Sequence, residues 1–115
     1  MTNKARHFFS IHAHSLVRVA AATPIATVGD AAANGEAAIA LAREADDQGV
    51  DLVVFPELNL SSYAIDDLHM QDAMLEAVEA AAGAVIAASA RLKPVLVLGA
   101  PVRRNGRLYN CALVV

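Results

Sequence analysis

A chain of 115 residues is enough for one hydrophobic core and too short for two domains of ordinary size. At 57% hydrophobic residues, 18% charged residues and a mean hydropathy of +0.43, it cannot be intrinsically disordered. Charge nonetheless interrupts each apolar stretch before the roughly 18 residues that a membrane span needs.

The net charge of −3 is segregated, with all 12 acidic residues between 30 and 90 against Arg43 alone, and the other basic residues towards the two ends. Those basic residues are scattered and the pI is 5.7, so they read as solvated loops and helix ends rather than as a nucleic-acid footprint. With 4% aromatic residues and no Trp, a base-stacking platform is not expected either. One cysteine rules out an internal disulfide and fits a reducing, cytoplasmic compartment. Near the start, Lys4 and Arg6 precede an apolar patch at Phe8, Phe9 and Ile11. His12, His14 and Arg18 interrupt it, so no secretory signal is expected.

Leu16–Ala22 reads as a strand with Val17, Val19 and Ala21 on one face. Asp30 suits a helix N-cap, the helix runs to about Gln48 with Ala38, Leu41, Ala42 and Ala45 on one stripe, and Gly49 suits the left-handed position beyond it. Leu52–Phe55 is an unbroken apolar run, as expected of a parallel strand covered on both faces. A loop from Glu57 to Tyr63 follows. From about Asp66 the pattern is helical again, with Leu75, Val78, Ala82, Val85 and Ile86 on one stripe. Lys93-Pro94 ends it, Val95–Leu98 is a second buried-type strand, and Asn105-Gly106 marks a hairpin turn into Leu108–Val115. The order β-α-β-α-β-β implies an α/β fold: a mixed sheet with helices packed on it. The final apolar run carries no polar tail, and the expectation is that further residues follow in the natural protein.

Glu57 is the leading candidate for chemistry. It lies just past the carboxyl end of a buried-type strand, where open α/β sheets bind their ligands. Partial desolvation there would suit a general base, while a glutamate that caps a loop amide or pairs with an arginine is the structural alternative. His12 and His14 would share one face of a strand, but no further ligand cluster lies near them and no metal site is expected. Asp46-Asp47 and Asp66-Asp67 read as surface charge, the second pair near a helix start. Cys111, among Ala, Leu and Val, reads as a small core residue rather than an activated thiol.

Phe55-Pro56-Glu57-Leu58 after an Asp-Leu-Val-Val strand resembles the first catalytic motif of the nitrilase, or carbon–nitrogen hydrolase, superfamily. His14 to Ala20, Gly29 to Asn34, Leu60-Ser61-Ser62-Tyr63, Ile65 to Leu68, Gln71-Asp72, Gly99-Ala100-Pro101 and Leu108-Tyr109-Asn110 narrow the match. Together they are similar to the N-terminal glutaminase domains of glutamine-dependent NAD⁺ synthetases. The resemblance implies that residues 1–115 form the N-terminal half of an α-β-β-α sandwich, with residues 1–15 as an extension.

It also implies a Glu-Lys-Cys triad in which Glu57 takes the proton of a cysteine nucleophile. The thiolate attacks the side-chain amide of glutamine, ammonia leaves, and water hydrolyses the thioester. Tyr63 matches a tyrosine lining the glutamine pocket. The family's lysine and cysteine fall later in its pattern, so neither Lys93 nor Cys111 takes their roles, and the chain alone is expected to be inactive. Ser62 stands where the family usually has glycine. The implied partners are glutamine and a C-terminal synthetase domain that holds ATP and Mg²⁺, in a homo-oligomer. A free-standing amidase and a non-catalytic assembly module are the alternatives.

Overall fold

The computed structural model describes residues 7–115. Lys4, Arg6 and the first six residues of the expected extension lie outside the described residues. After a 3₁₀ turn at Ile11–His14 come β1 (Val19–Ala21), α1 (Ala31–Asp47), β2 (Leu52–Val54), a kinked 3₁₀ segment (Tyr63–Met70), α2 (Asp72–Ser89), β3 (Val95–Arg104) and β4 (Arg107–Val114). The strands form one sheet in the order β1-β2-β3-β4, the first three parallel and β4 antiparallel to β3. The β-α-β-α-β-β order is the one expected.

Local chemistry sets several boundaries. The Asp30 side chain accepts from Ala33 N at 3.0 Å and so caps α1. Gly49, at φ +68°, turns the chain out of α1 while Val50 N donates back to Ala45 O at 2.9 Å. Asn105 and Gly106, at φ +52° and +72°, supply the two positive angles of a tight hairpin.

Both helices lie on one face of the sheet. Register places Ala20, Val53 and Leu96 side by side on that face, and by strand alternation Leu98 and Ala100 share it. They pack with Ala38, Ala42 and Val85 in one cluster and with Ala31, Val78, Ala81 and Ala82 in another. The alanine excess has its use here. A Cβ on Gly35 would stand 3.2 Å from the Ala81 Cβ, so α1 and α2 approach closely enough that only small residues fit between them.

The other face is apolar and open. Val19, Val54, Val95 and Val114 are all exposed there, Val114 to 71%. This corrects one expectation and completes another. The face of β1 that carries Val17, Val19 and Ala21 is the open one, while Ala20 and Ala22 pack on the core. Val53 is buried while Val54 is exposed, so β2 is covered on one face only. Alternation identifies two faces, but only the position of the helices decides which is covered.

The second helix also begins later than expected. Asp66 adopts φ +40° and breaks the helical path, and α2 starts at Asp72. Ile86 lies off the buried stripe at 54% exposure. Asp46 is less solvated than expected, accepting from Lys93 N at 3.2 Å and pairing with its ammonium at 3.8 Å. Two basic residues hold helix ends: Arg18 donates to Gln48 O after α1, and Arg103 pairs with Asp72 and donates to Met70 O at 3.0 Å before α2.

At the start of β2, Asp51 joins the N-terminal turn to the sheet. Its Oδ2 accepts from Arg18 N at 2.7 Å and its Oδ1 from His12 Nε2 at 2.8 Å. The Arg18 amide first, and the His12 ring second, hold the Asp51 carboxyl below the ordinary carboxylate range.

Candidate functional site

Glu57 leaves the carboxyl end of β2 in a tight loop. Leu58 takes a positive φ of 51°, and Asn59 N, Ser61 N and Ser62 N donate back to Pro56 O, Leu58 O and Leu58 O at 3.2, 3.1 and 2.9 Å. Leu58, Leu60 and Ser61 are buried beneath it, which fixes the backbone and leaves the Glu57 side chain outside. Phe55 N donates to Val97 O at 2.9 Å and Leu60 N to Gly99 O at 3.1 Å, so both arms of the loop are fastened to β3.

Between those two bonds the loop lies on Gly99. A Cβ there would stand 2.3 Å from Pro56 O, 2.4 Å from Leu58 N and 2.8 Å from the Glu57 carbonyl carbon, all backbone atoms that cannot swing aside. Only glycine permits this crossing. Asn34, buried in the first turn of α1, fastens the loop from the other side. It donates to Thr27 O at 2.8 Å and Leu60 O at 3.2 Å, and accepts from Thr27 N at 2.8 Å.

The Glu57 carboxylate accepts one hydrogen bond, at 2.5 Å on Oε1, from Asn110 Nδ2 of β4. Among the described residues it has no other side-chain or backbone partner. The partial desolvation considered for Glu57 is not seen, because the side chain is exposed among the described residues. Tyr63 is also exposed, at 70%, on the far side of the Ser61-Ser62 turn. That turn carries strain at Ser62, whose φ of 72° and ψ of 147° suit glycine far better than serine. Asn59 Nδ2 is buried without a hydrogen-bond partner among the described residues, at a cost of about 1–3 kcal/mol.

Neither of the other candidate groups reaches Glu57. Lys93 precedes β3 at the opposite end of the parallel strands, where it pairs with Asp46. Cys111 follows Asn110 directly on β4 and sits opposite Ala100, so alternation turns its thiol to the helix side of the sheet. His12 and His14 lie on a 3₁₀ turn rather than a strand, and His14 Nε2 donates to Phe8 O at 2.8 Å while His12 bonds Asp51. Among the described residues no group of three or more His, Cys, Asp or Glu could hold a metal ion. A cleft of about 570 Å³ also lies elsewhere, between α2 and the β3–β4 hairpin and lined by Glu76, Glu79, Arg103 and Leu113.

Sequence reasoning singled out Glu57 but assigned no role to Gly99, Asn34 or Asn110. All three stand in the motifs that carried the resemblance. Their contacts to the loop come from distant parts of the chain, which local pattern does not reveal.

The carbon-nitrogen hydrolase family model matches residues 16–115. The glutamine-dependent NAD(+) synthetase of Mycobacterium tuberculosis is 49% identical over 109 residues, covering 95% of this chain and 16% of that protein. That of Mycobacterium leprae is 46% identical over 108 residues, covering 94% of this chain and 16% of that protein. Among solved structures, the glutamine-dependent NAD(+) synthetase from Cytophaga hutchinsonii superposes with a TM-score of 0.79 at 26% identity, over 86% of this chain and 17% of that one. The chain therefore spans about a sixth of the length of the relatives it matches. Among the described residues no helix is long and apolar enough to cross a membrane.

Proposed function

The chain belongs to the carbon–nitrogen hydrolase family, and on that premise we propose that it forms the first part of a glutaminase domain that releases ammonia for NAD⁺ synthesis. In this reading residues 1–115 form the partial domain, with residues 1–15 as its N-terminal extension. Glu57 is the general base that accepts the proton of a cysteine thiol carried elsewhere in a longer chain. The thiolate attacks the glutamine side-chain amide, ammonia leaves, and water hydrolyses the thioester to glutamate. Tyr63 lines the glutamine pocket. The ammonia goes to a synthetase domain, in which ATP and Mg²⁺ serve the amidation of deamido-NAD⁺. The enzyme is a cytoplasmic homo-oligomer.

The observation that carries this reading is the placement of Glu57. A loop fastened to β3 by backbone bonds sets the carboxylate just past the carboxyl end of a parallel strand, and among the described residues no cation pairs with it. A structural glutamate would be expected to pair with an arginine or cap a loop amide, and among the described residues Glu57 does neither. The placement of Lys93 and Cys111 supports the further expectation that the 115 residues alone hydrolyse no glutamine. The open apolar face supports a second sheet of the sandwich as its cover in the longer chain.

The test is Glu57→Gln in the longer protein. This change keeps shape and removes the proton acceptor, so glutamine-dependent synthesis should fall about 10²–10⁴-fold, as for loss of a general base. Synthesis from free ammonia, which bypasses the amide chemistry, should stay near wild type. Equal loss of both rates would mark Glu57 as structural and refute the assignment.

A further inference from the structure

We propose that Asn110 is a positioning residue for the Glu57 carboxylate, holding Oε1 so that Oε2 is the oxygen presented to the proton it must accept. The inference rests on the reading of Glu57 as general base. Its own support is geometric. Asn110 Nδ2 donates to Glu57 Oε1 at 2.5 Å across 53 residues of sequence, and among the described residues this is the only bond the carboxylate makes.

The backbone leaves orientation as the remaining freedom. The loop is fastened to β3 on both sides and rests on Gly99, so the Glu57 Cα is fixed while its exposed side chain keeps its rotatable bonds. A general base needs its lone pair aimed at the donor, and an unrestrained glutamate spends most of its time in other rotamers. Asn110 sits opposite Pro101 in the β3–β4 register, on the same sheet face as Gly99 by alternation. The hairpin thus brings the amide to the loop from the side on which the loop crosses the sheet.

The residue type suits this task. An amide donor orients a carboxylate without supplying a full positive charge, whereas lysine or arginine would stabilise the ionised form and weaken the base. Asparagine is otherwise disfavoured inside strands, and Asn110 is well within β4. The bond to Glu57 gives it a reason to be there.

The experiment compares Asn110→Asp, Asn110→Ser and Glu57→Gln in the longer protein, by glutamine-dependent and ammonia-dependent rates. Asn110→Asp replaces the donor by a second carboxylate beside the first. The glutamine-dependent kcat should fall on the order of 10-fold or more, and the acid limb of kcat/KM for glutamine should move to higher pH, because like charge disfavours ionised Glu57. Asn110→Ser should lower kcat with little change in KM and a smaller movement of that limb. The ammonia-dependent rate of each variant reports whether the protein is folded. Equal loss of both rates with an unmoved acid limb, or full glutamine-dependent activity in both Asn110 variants, would overturn the proposal. If Glu57→Gln shows selective loss and the Asn110 variants do not, the positioning role alone fails. If Glu57→Gln lowers both rates equally, the base assignment fails and the positioning role falls with it.

Discussion

Ser62→Gly should stabilise the protein, although it removes a side chain from a buried position. Ser62 is 7% exposed and adopts φ 72°, ψ 147°, at the margin of a region that only glycine enters freely. Such backbone strain costs about 1–3 kcal/mol. Two terms oppose its relief. Glycine loses more freedom on folding, about 0.5–1 kcal/mol. The serine hydroxyl also accepts from Ala64 N, but at 3.5 Å that contact is at the limit of a hydrogen bond and contributes little. The net expectation is a gain of about 1 kcal/mol, equivalent to roughly 4 °C in melting temperature for a domain of this size. Equilibrium urea unfolding, at concentrations low enough to keep the open face from self-associating, reads this as a higher midpoint at unchanged slope. Ser62→Ala separates the terms, since it keeps the strain and loses the hydroxyl, and should be slightly less stable than wild type. A Ser62→Gly midpoint at or below that of Ser62→Ala would show that the strain argument is wrong.

Two other changes test the loop and the N-terminal turn. Gly99→Ala should force the Glu57 loop off β3, because the new methyl would meet Pro56 O and Leu58 N at 2.3 and 2.4 Å; the expected loss is about 3 kcal/mol or more in urea unfolding, and a variant within 1 kcal/mol of wild type would refute the seating argument. Asp51→Asn should weaken the hold on the 3₁₀ turn at Ile11–His14 at neutral pH. Since folding depresses the Asp51 carboxyl, its contribution is present above the unfolded value near about 4 and is lost as pH falls through the folded one. The wild-type advantage in hydrogen-exchange protection of that turn should therefore shrink below about pH 4, and an advantage that persists undiminished at about pH 2 would count against it.

Legibility followed the range of the interaction that fixes each feature. Asp30, Gly49 and the Asn105-Gly106 turn were readable because each is decided by the conformational preference of one or two residues. Which face of β1 is covered was not, since Val17, Val19 and Ala21 form as apolar a row as the covered residues do. The start of α2 was misplaced because Asp66-Asp67 looks like a helix beginning, whereas Asp66 takes φ +40° and bends the chain instead. At the site, Glu57 could be found from its place after an apolar strand. Gly99 and Asn110 act on it across the sheet, and residues 99–110 read only as a strand and a hairpin until the register was known. The resemblance pointed to the same residues, but a motif match carries no contact and therefore no role.

The open face and the candidate site belong to one problem. Gly99, Asn110 and the exposed valines Val19, Val54, Val95 and Val114 lie on the same side of the sheet, away from both helices. Glu57 crosses that side at its carboxyl end, held by backbone bonds already in place. The Glu57 carboxylate is thus held by Asn110 while open to solvent. An exposed carboxylate competes with water for its proton donor, and covering the face would remove that water and strengthen every electrostatic contact around Glu57. The same apolar cover that the valines need to be buried would bring the site out of solvent. If Glu57 acts as proposed, one apolar cover would bury the valines and complete its surroundings together. On the proposed reading, these residues would hold the base in place, and its use would wait on that cover.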